Sequence, residues 1–332
     1  MPLSNAGYSF SVIICAFTEK RLADLIEAVH SIKSQTCPAQ EIIVVIDHNQ
    51  ALLETARACL ENVTVIENSA GQGASGARNS GAAIMKGDIL AFIDDDAVAE
   101  PDWLEHLSIA FAQENVLAAG GRIEPLWLSS APAWFPEEFY WVIGASYRGL
   151  PVRLAPVRNL WSGNMAVRRD AFEAVGGFRA GFGKVGSRSS PEDTDFCIRL
   201  LERFPQKTIL FTPEARVHHK VPAYRATWKF FLARCYNEGL GKVLLSSLVG
   251  VKTGMSSERS HMARALPQGV LRGIGDTLFH RDPSGLLRAG AIIMGLAAAA
   301  SGYLVGLVEI SLSKLSRSRQ PGKVRKQQDV II

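Results

Sequence analysis

Three acids leave one apolar run together, in Phe92-Ile93-Asp94-Asp95-Asp96. Like charges this close raise one another's pKa, so the cluster is costly unless a cation shares it. Carboxylate oxygens suit a divalent metal, Mn2+ or Mg2+, and the simplest task for that metal is to grip a diphosphate. The competing reading is a solvated acidic turn. Upstream, Gly71-Gln72-Gly73-Ala74-Ser75-Gly76-Ala77-Arg78-Asn79 is a glycine-rich loop leading into a helix, whose first backbone N–H groups suit anions. Gly71, Gly73 and Gly76 have the G-x-G-x-x-G spacing, but the loop follows a third strand rather than a first, which ranks a Rossmann cofactor low. No Lys-Ser or Lys-Thr follows, so it is not a P-loop either. Arg78 can set its guanidinium on a phosphate or on a strand-end carboxylate. A second acid pair, Glu192-Asp193, stands where a helix begins and can cap that helix or act as a base.

These residues need a frame that brings them together. Phe10–Cys15, Glu41–Ile46, Val63–Ile66 and Ile89–Ile93 are short β-branched runs that read as buried strands. Between them Leu22–Ile32, Ala51–Leu60 and Gly76–Met85 have helical length, the first with apolar residues at 22, 25, 26, 29 and 32. Strands alternating with helices argue a doubly wound, mostly parallel α/β sheet, whose ligands bind beyond the carboxyl ends of the strands. After Asp96 the pattern loosens into loops and short strands rich in Trp and Pro. Helices are expected at Arg169–Ala174, Thr194–Arg203 and Thr227–Leu245, with a strand at Thr208–Phe211 ending in a Pro213 turn.

Taken in order, Ser11-Val-Ile-Ile-Cys-Ala-Phe-Thr18, Ile43-Val-Val-Ile-Asp47, the Gly71–Gly81 loop, Asp94-Asp-Asp96 and Pro191-Glu-Asp193 resemble glycosyltransferase family two, the inverting GT-A-fold enzymes that use nucleotide sugars. The resemblance covers roughly residues 8 to 240. It implies that Asp47 accepts from the nucleobase, that Ala16 and Thr18 line the base pocket, and that Asp94 or Asp95 holds the ribose. Gly73 and Arg78 join the nucleotide-sugar site, and Asp96 binds the metal. The family also implies a histidine beside the metal or diphosphate, and His219 fits that spacing better than His218. Inverting transfer needs a base on the face opposite the leaving diphosphate, the role assigned to Asp193, with Glu192 holding acceptor or structure. One departure is Cys15-Ala-Phe-Thr18, where the family usually has Pro-Thr-Tyr-Asn. A narrower set, Gly120-Gly-Arg-Ile-Glu-Pro, Phe139-Tyr-Trp, Tyr147-Arg-Gly, Val157-Arg-Asn and Val175-Gly-Gly-Phe, resembles the dolichyl-phosphate-linked glucuronosyltransferases. A glucuronate carboxylate would call for a cation, for which Arg122, Arg148 and Arg158 are the candidates.

Ala289–Val308 is twenty residues without a charge, about the length that crosses a ~30 Å hydrocarbon core. Gly302 and Gly306 give it a G-x-x-x-G pair. From Ser311 to Ile332 lie Lys314, Arg317, Arg319, Lys323, Arg325 and Lys326 against Asp329 alone, enough to account for all of the net charge of +4. The body of the 332-residue chain is thus near neutral, and nucleic acid is not an expected partner. Five scattered cysteines without a C-x-x-C pair indicate neither a disulfide framework nor a zinc knuckle, and no signal peptide is apparent. The expected organisation is a GT-A-like domain over 1–240 and a helical, membrane-associating region with a basic tail over 241–332. The expected activity moves a sugar from a UDP-sugar donor to a lipid-linked or oligosaccharide acceptor at the cytoplasmic face of the cell membrane, the apolar segment being re-entrant or interfacial against membrane lipid. A sugar nucleotidyltransferase and a non-catalytic membrane scaffold are the alternatives.

Overall fold

The computed structural model describes residues 7–185, 188, 189, 191–250 and 261–318. Phe10–Ala16 (β1), Glu41–Ile46 (β2), Thr64–Glu67 (β3) and Ile89–Asp94 (β4) form the parallel half of a mixed nine-stranded sheet, in the order β3-β2-β1-β4. These runs do not alternate because both faces are covered. On one face Val12, Ile14, Val44 and Ile46 pack with Leu25 and Val29 of Leu22–Lys33 (α1) and with Leu52 of Gln50–Cys59 (α2). Each such side chain fully buried is worth about 1.5–3 kcal/mol. On the other face lies Ala74–Ala82 (α3), which sits close because Gly81 has no side chain: a Cβ there would be 2.7 Å from Ile13 Cγ2.

The second half of the sheet is where the sequence pattern loosened. Its strands are Ala97–Ala99 (β5), Val116–Trp127 (β6), Ala155–Pro156 (β7), Asn164–Arg168 (β8) and Thr208–Val221 (β11), and a separate ribbon pairs Lys184–Val185 (β9) with Arg188–Ser189 (β10). β8 runs antiparallel to both β4 and β6, and β11 antiparallel to β5 and β7. β6 is long despite Gly120-Gly121. A Cβ on Gly121 would lie 1.7 Å from the Ala215 carbonyl oxygen, so the glycines let the backbones of β6 and β11 meet. β11 also runs on through Pro213, which falls between its pairing with β7 at Leu210–Phe211 and with β5 at Val217–His219. The remaining helices of this part are Trp103–Phe111 (α4), Arg169–Ala174 (α5) and Glu192–Arg203 (α6).

Two compact units emerge, the first comprising residues up to Leu126, Pro151–Arg188 and Glu192–Lys220 and carrying nearly all of the sheet. The second comprises Trp127–Leu150, 189–191 and the residues from Val221 on, so the expected boundary at 240 falls inside Trp228–Val249 (α7). It is built from a 3-10 turn over Glu137–Ile143, from α7, Leu266–His280 (α8) and Ser284–Ser318 (α9). Aromatics fill its core: Trp134 stacks on Trp228 at 4.0 Å, and Phe135 meets Phe231 edge-on at 5.3 Å. Buried Glu138 pairs with Arg272 of α8 at 2.6 Å. α9 contains the whole uncharged run; in the basic tail, residues from Arg319 on lie outside the described residues.

Candidate active site

Strand register brings the ends of three strands level. Ala16 stands opposite Ile46, and Cys15 opposite Asp94, so Ala16, Asp47 and Asp94 leave the sheet side by side. Ala16 is buried and its carbonyl accepts from the Asp47 N–H at 2.8 Å. Thr18 Oγ1 accepts from Lys20 N at 3.4 Å and caps the turn into α1. Asp47 fastens the glycine loop: its Oδ1 accepts from Asn68 Nδ2 at 2.6 Å and its Oδ2 from Gly73 N at 2.9 Å. Gly73 begins α3 at φ 114°, a conformation that side chains resist. Gly76 is equally constrained, since a Cβ there would be 1.8 Å from the Gly71 carbonyl oxygen.

The three acids separate as they leave β4. Asp94 is 42% exposed at the rim, whereas Asp95 and Asp96 are buried. Asp94, Asp96 and His219 offer two carboxylate oxygens and one ring nitrogen that all lie within 4.8 Å of one another. His219 reaches this group because β11 places it opposite Ala97, one residue beyond Asp96, and its Nε2 is 3.4 Å from Asp96 Oδ1. Side chains alternate along a strand, so His218 faces away and meets Glu100 at 3.0 Å. Space beside Asp94 is kept open by Gly163, where a Cβ would be 2.7 Å from Asp94 Oδ2. Asp95 does not join the rim. It turns to Arg21, whose Nη1 lies 2.9 Å from Asp95 Oδ1 and 2.9 Å from Asp96 Oδ2. Burial, with Asp96 beside it, pushes the Asp95 carboxyl up to about 7 against the pull of Arg21.

Arg78 joins this group to the second acid pair. Its guanidinium is buried, 3.5 Å from Asp94 Oδ1 and 3.5 Å from Glu192 Oε1, and 5.5 Å from the Phe178 ring centre. Burial opposes its charge, but Asp193, Asp94 and Glu192 around it raise its pKa above the ordinary arginine value. Asp193 is half-buried and hydrogen-bonded to Ser162, while its Oδ1 is shielded from solvent without a hydrogen-bond partner. Desolvation pushes its pKa up, although Arg78 and Ser162 work the other way. Behind the pair, α6 is fixed by fully buried Asp195, which accepts from Arg179 Nη2 at 3.0 Å and from Arg199 Nε at 2.8 Å. Arg199 also donates to the carbonyls of Val175 and Gly177, both at 2.7 Å, and Asn79 of α3 donates to the Phe178 carbonyl at 2.8 Å. The Gly176-Gly177 turn, with both residues at positive φ, thereby ties α3 to α6.

Comparison with known proteins places this arrangement. Residues 11–176 match the model of Glycosyl transferase family 2. The chain belongs to that family. A glucosyl-dolichyl phosphate glucuronosyltransferase of Haloferax volcanii is 32% identical over 243 residues, covering 72% of this chain and 77% of that one. Among solved structures, GalNAc-T7 with UDP, GalNAc and Mn2+ aligns with TM-score 0.50 at 18% identity over 64% of this chain, which spans 43% of that protein's length. The mannosyltransferase PcManGT of Pyrobaculum calidifontis, in complex with GDP-Man and Mn2+, aligns with TM-score 0.50 at 15% identity over 95% of this chain and 81% of its own. At such identities the likeness concerns the fold, and the fold of this glycosyltransferase is GT-A-like.

Within the family frame, several positioning residues escape a reading of motifs. Arg21, Asn68 and Ser162 each touch a site carboxylate and Gly163 leaves room beside one, yet each lies outside the acidic and glycine-rich runs. Asp195 and Arg199 were missed as well, although their i, i+4 spacing on the expected Thr194–Arg203 helix was a signal for the pair. Nothing in the sequence signals their buried contact with Arg179.

Proposed function

We propose that this glycosyltransferase moves a sugar from a UDP-sugar to a hydroxyl of a lipid-linked or growing polysaccharide acceptor, with inversion, at the cytoplasmic face of a membrane. The observation that carries the reading is Arg78, set between Asp94, one of three side chains whose atoms could share a metal, and the Glu192-Asp193 pair. Donor-side and acceptor-side acids thus share one small space. Oxygen and imidazole donors suit Mn2+ or Mg2+, and the gap that a Cβ at Gly163 would fill leaves Asp94 access to an ion. A cation bound there offsets charge on the departing diphosphate. Asp94 at the rim serves the ribose end of the donor as well as the metal, Asp96 and His219 hold the metal, and Asp47 orders the loop at the base end through Gly73. The shielded, raised-pKa carboxylate of Asp193 is suited to take the acceptor hydroxyl's proton, since a base works best with a pKa near the working pH. Glu192 stays with Arg78 and keeps its charge in place.

Glucuronate is the donor sugar favoured by the likeness to the haloarchaeal relative. The candidates for the guanidinium that meets its carboxylate are Arg122, Arg148 and Arg158, of which Arg148 pairs with Glu137 at 2.8 Å and Arg158 with Asn159 at 3.0 Å. A panel of UDP-sugars with Mn2+ or Mg2+ and short lipid-linked acceptors, read by mass spectrometry and by the anomeric proton coupling of the product, tests the proposal. Release of UDP with an inverted glycosidic bond is expected. Pyrophosphate release from UTP and a sugar phosphate would make the protein a nucleotidyltransferase, and no turnover of any donor would make it a scaffold.

A further inference from the structure

α9 packs on α7 through small residues. A Cβ at Gly302 would lie 2.0 Å from the Tyr236 carbonyl oxygen, one at Gly239 2.1 Å from the Ala299 carbonyl oxygen, and one at Gly306 3.0 Å from Val243 Cγ2. The G-x-x-x-G pair is therefore used within the chain. α7 is no hydrocarbon-facing neighbour, for over this stretch it carries Arg234, Asn237, Glu238 and Lys242, with Lys242 Nζ 3.2 Å from Glu238 Oε1. A helix that crossed a bilayer here would drag those charges into lipid.

The opposite half of α9 is different. From Leu286 to Val308 every exposed residue is apolar except Ser301, and the strip, with Ile293 and Leu304 near its midline, runs about 33 Å at ~1.5 Å per residue. α8 adds Leu271, Leu278 and Phe279, the last 81% exposed, while its Gly269 and Gly273 are buried. The charge-free strip is followed in sequence by six basic residues against one acid between Ser311 and Ile332. An apolar face with a strongly basic continuation complements an anionic lipid surface, whereas a second copy would bring an equal positive charge toward it.

We propose that α9 does not span a membrane but lies along it, burying the half of its circumference centred on Ile293 and Leu304 in an anionic lipid surface while its glycine side stays on α7. This rests on the membrane placement in the proposed function and specifies its geometry. The test is flotation of the full-length protein with preformed phosphatidylglycerol–phosphatidylcholine vesicles. Wild type floats, is released at pH 11 and binds less at high salt. Ile293→Glu/Leu304→Glu binds about a hundredfold less, from two aliphatic side chains no longer buried, and keeps its UDP-binding thermal shift and helical circular dichroism. The control Ala233→Glu, on exposed α7 surface, floats like wild type. Resistance to pH 11 with the tail protected from added protease would establish a span and overturn the in-plane arrangement. Equal flotation of the double variant would overturn the assigned face. No flotation of wild type, or a dimer that the double variant converts to monomer, would overturn lipid as the occupant. A protein that floats as expected but transfers no sugar refutes the proposed reaction and leaves this surface standing.

Discussion

Replacing Asp193 by Asn separates the chemistry of this residue from its place in the fold. Asn keeps the shape and an oxygen for Ser162 but removes the basic carboxylate, and a positioned base is worth about 10²- to 10⁴-fold in rate, or roughly 3–5 kcal/mol of barrier. Stability should move the other way. Burial raises the pKa of Asp193 in the folded chain, so the folded state holds that proton more tightly than the unfolded one, and the residue costs stability as pH rises from about 4, the unfolded value, through the folded one. At pH 7.5 the Asn variant should therefore melt no lower than wild type, with any gain fading as pH falls toward 4. Arg78 retains Asp94 and Glu192 as partners, each at 3.5 Å, so the variant leaves no buried cation alone. The assay is UDP release at saturating donor and acceptor, with UDP affinity by calorimetry and melting curves across pH. In wild type the acid limb of kcat/KM should sit above the usual carboxylate range, because the base must be deprotonated to act. Turnover within threefold of wild type, or a loss fully accounted for by weaker UDP binding, would refute the role of Asp193.

Other substitutions probe the remaining parts. Asp96→Ala should weaken Mn2+-dependent UDP binding by at least about tenfold, with metal-free binding unchanged; calorimetry with and without Mn2+ reads both. Gly163→Ala puts a methyl 2.7 Å from Asp94 Oδ2 and should raise the Mn2+ concentration needed for half-maximal activity while leaving the melting temperature near wild type. Asp195→Ala strands Arg179 and Arg199 beside a buried gap and should cost about 3–5 kcal/mol in denaturant unfolding, as breaking a buried ion pair does. An unchanged midpoint would show that α6 is held by its apolar face alone.

The first ninety-odd residues could be read almost element by element. Glu41–Ile46 matches β2 as expected, and β1, α1 and β4 extend no more than one residue beyond their expected ends. A parallel strand is buried on both faces, so its identity is written in a local apolar run that no distant partner has to complete. The acids were equally legible, because three carboxylates after such a run stand out whatever surrounds them. α4, β6 and β8 were missed. The helical spacing of Trp103, Leu104, Leu107 and Phe111 was present but lay beyond the point where the alternation stopped, and Gly120-Gly121 reads as a turn until Ala215 is known to lie against it. Tertiary structure alone decided which acid goes where. By residue type Asp94, Asp95 and Asp96 are alike, and only the family resemblance set Asp96 apart for the metal; the turn after β4, with Arg21 on one side and His219 on the other, sends Asp95 inward and leaves oxygens of Asp94 and Asp96 within 4.8 Å of the His219 ring nitrogen and of each other. The apolar run near the C-terminus shows the same division. Its length and lack of charge are sequence properties, but whether lipid can surround it depends on the opposite face, and that face belongs to α7 because glycines at 239, 302 and 306 allow two backbones to touch.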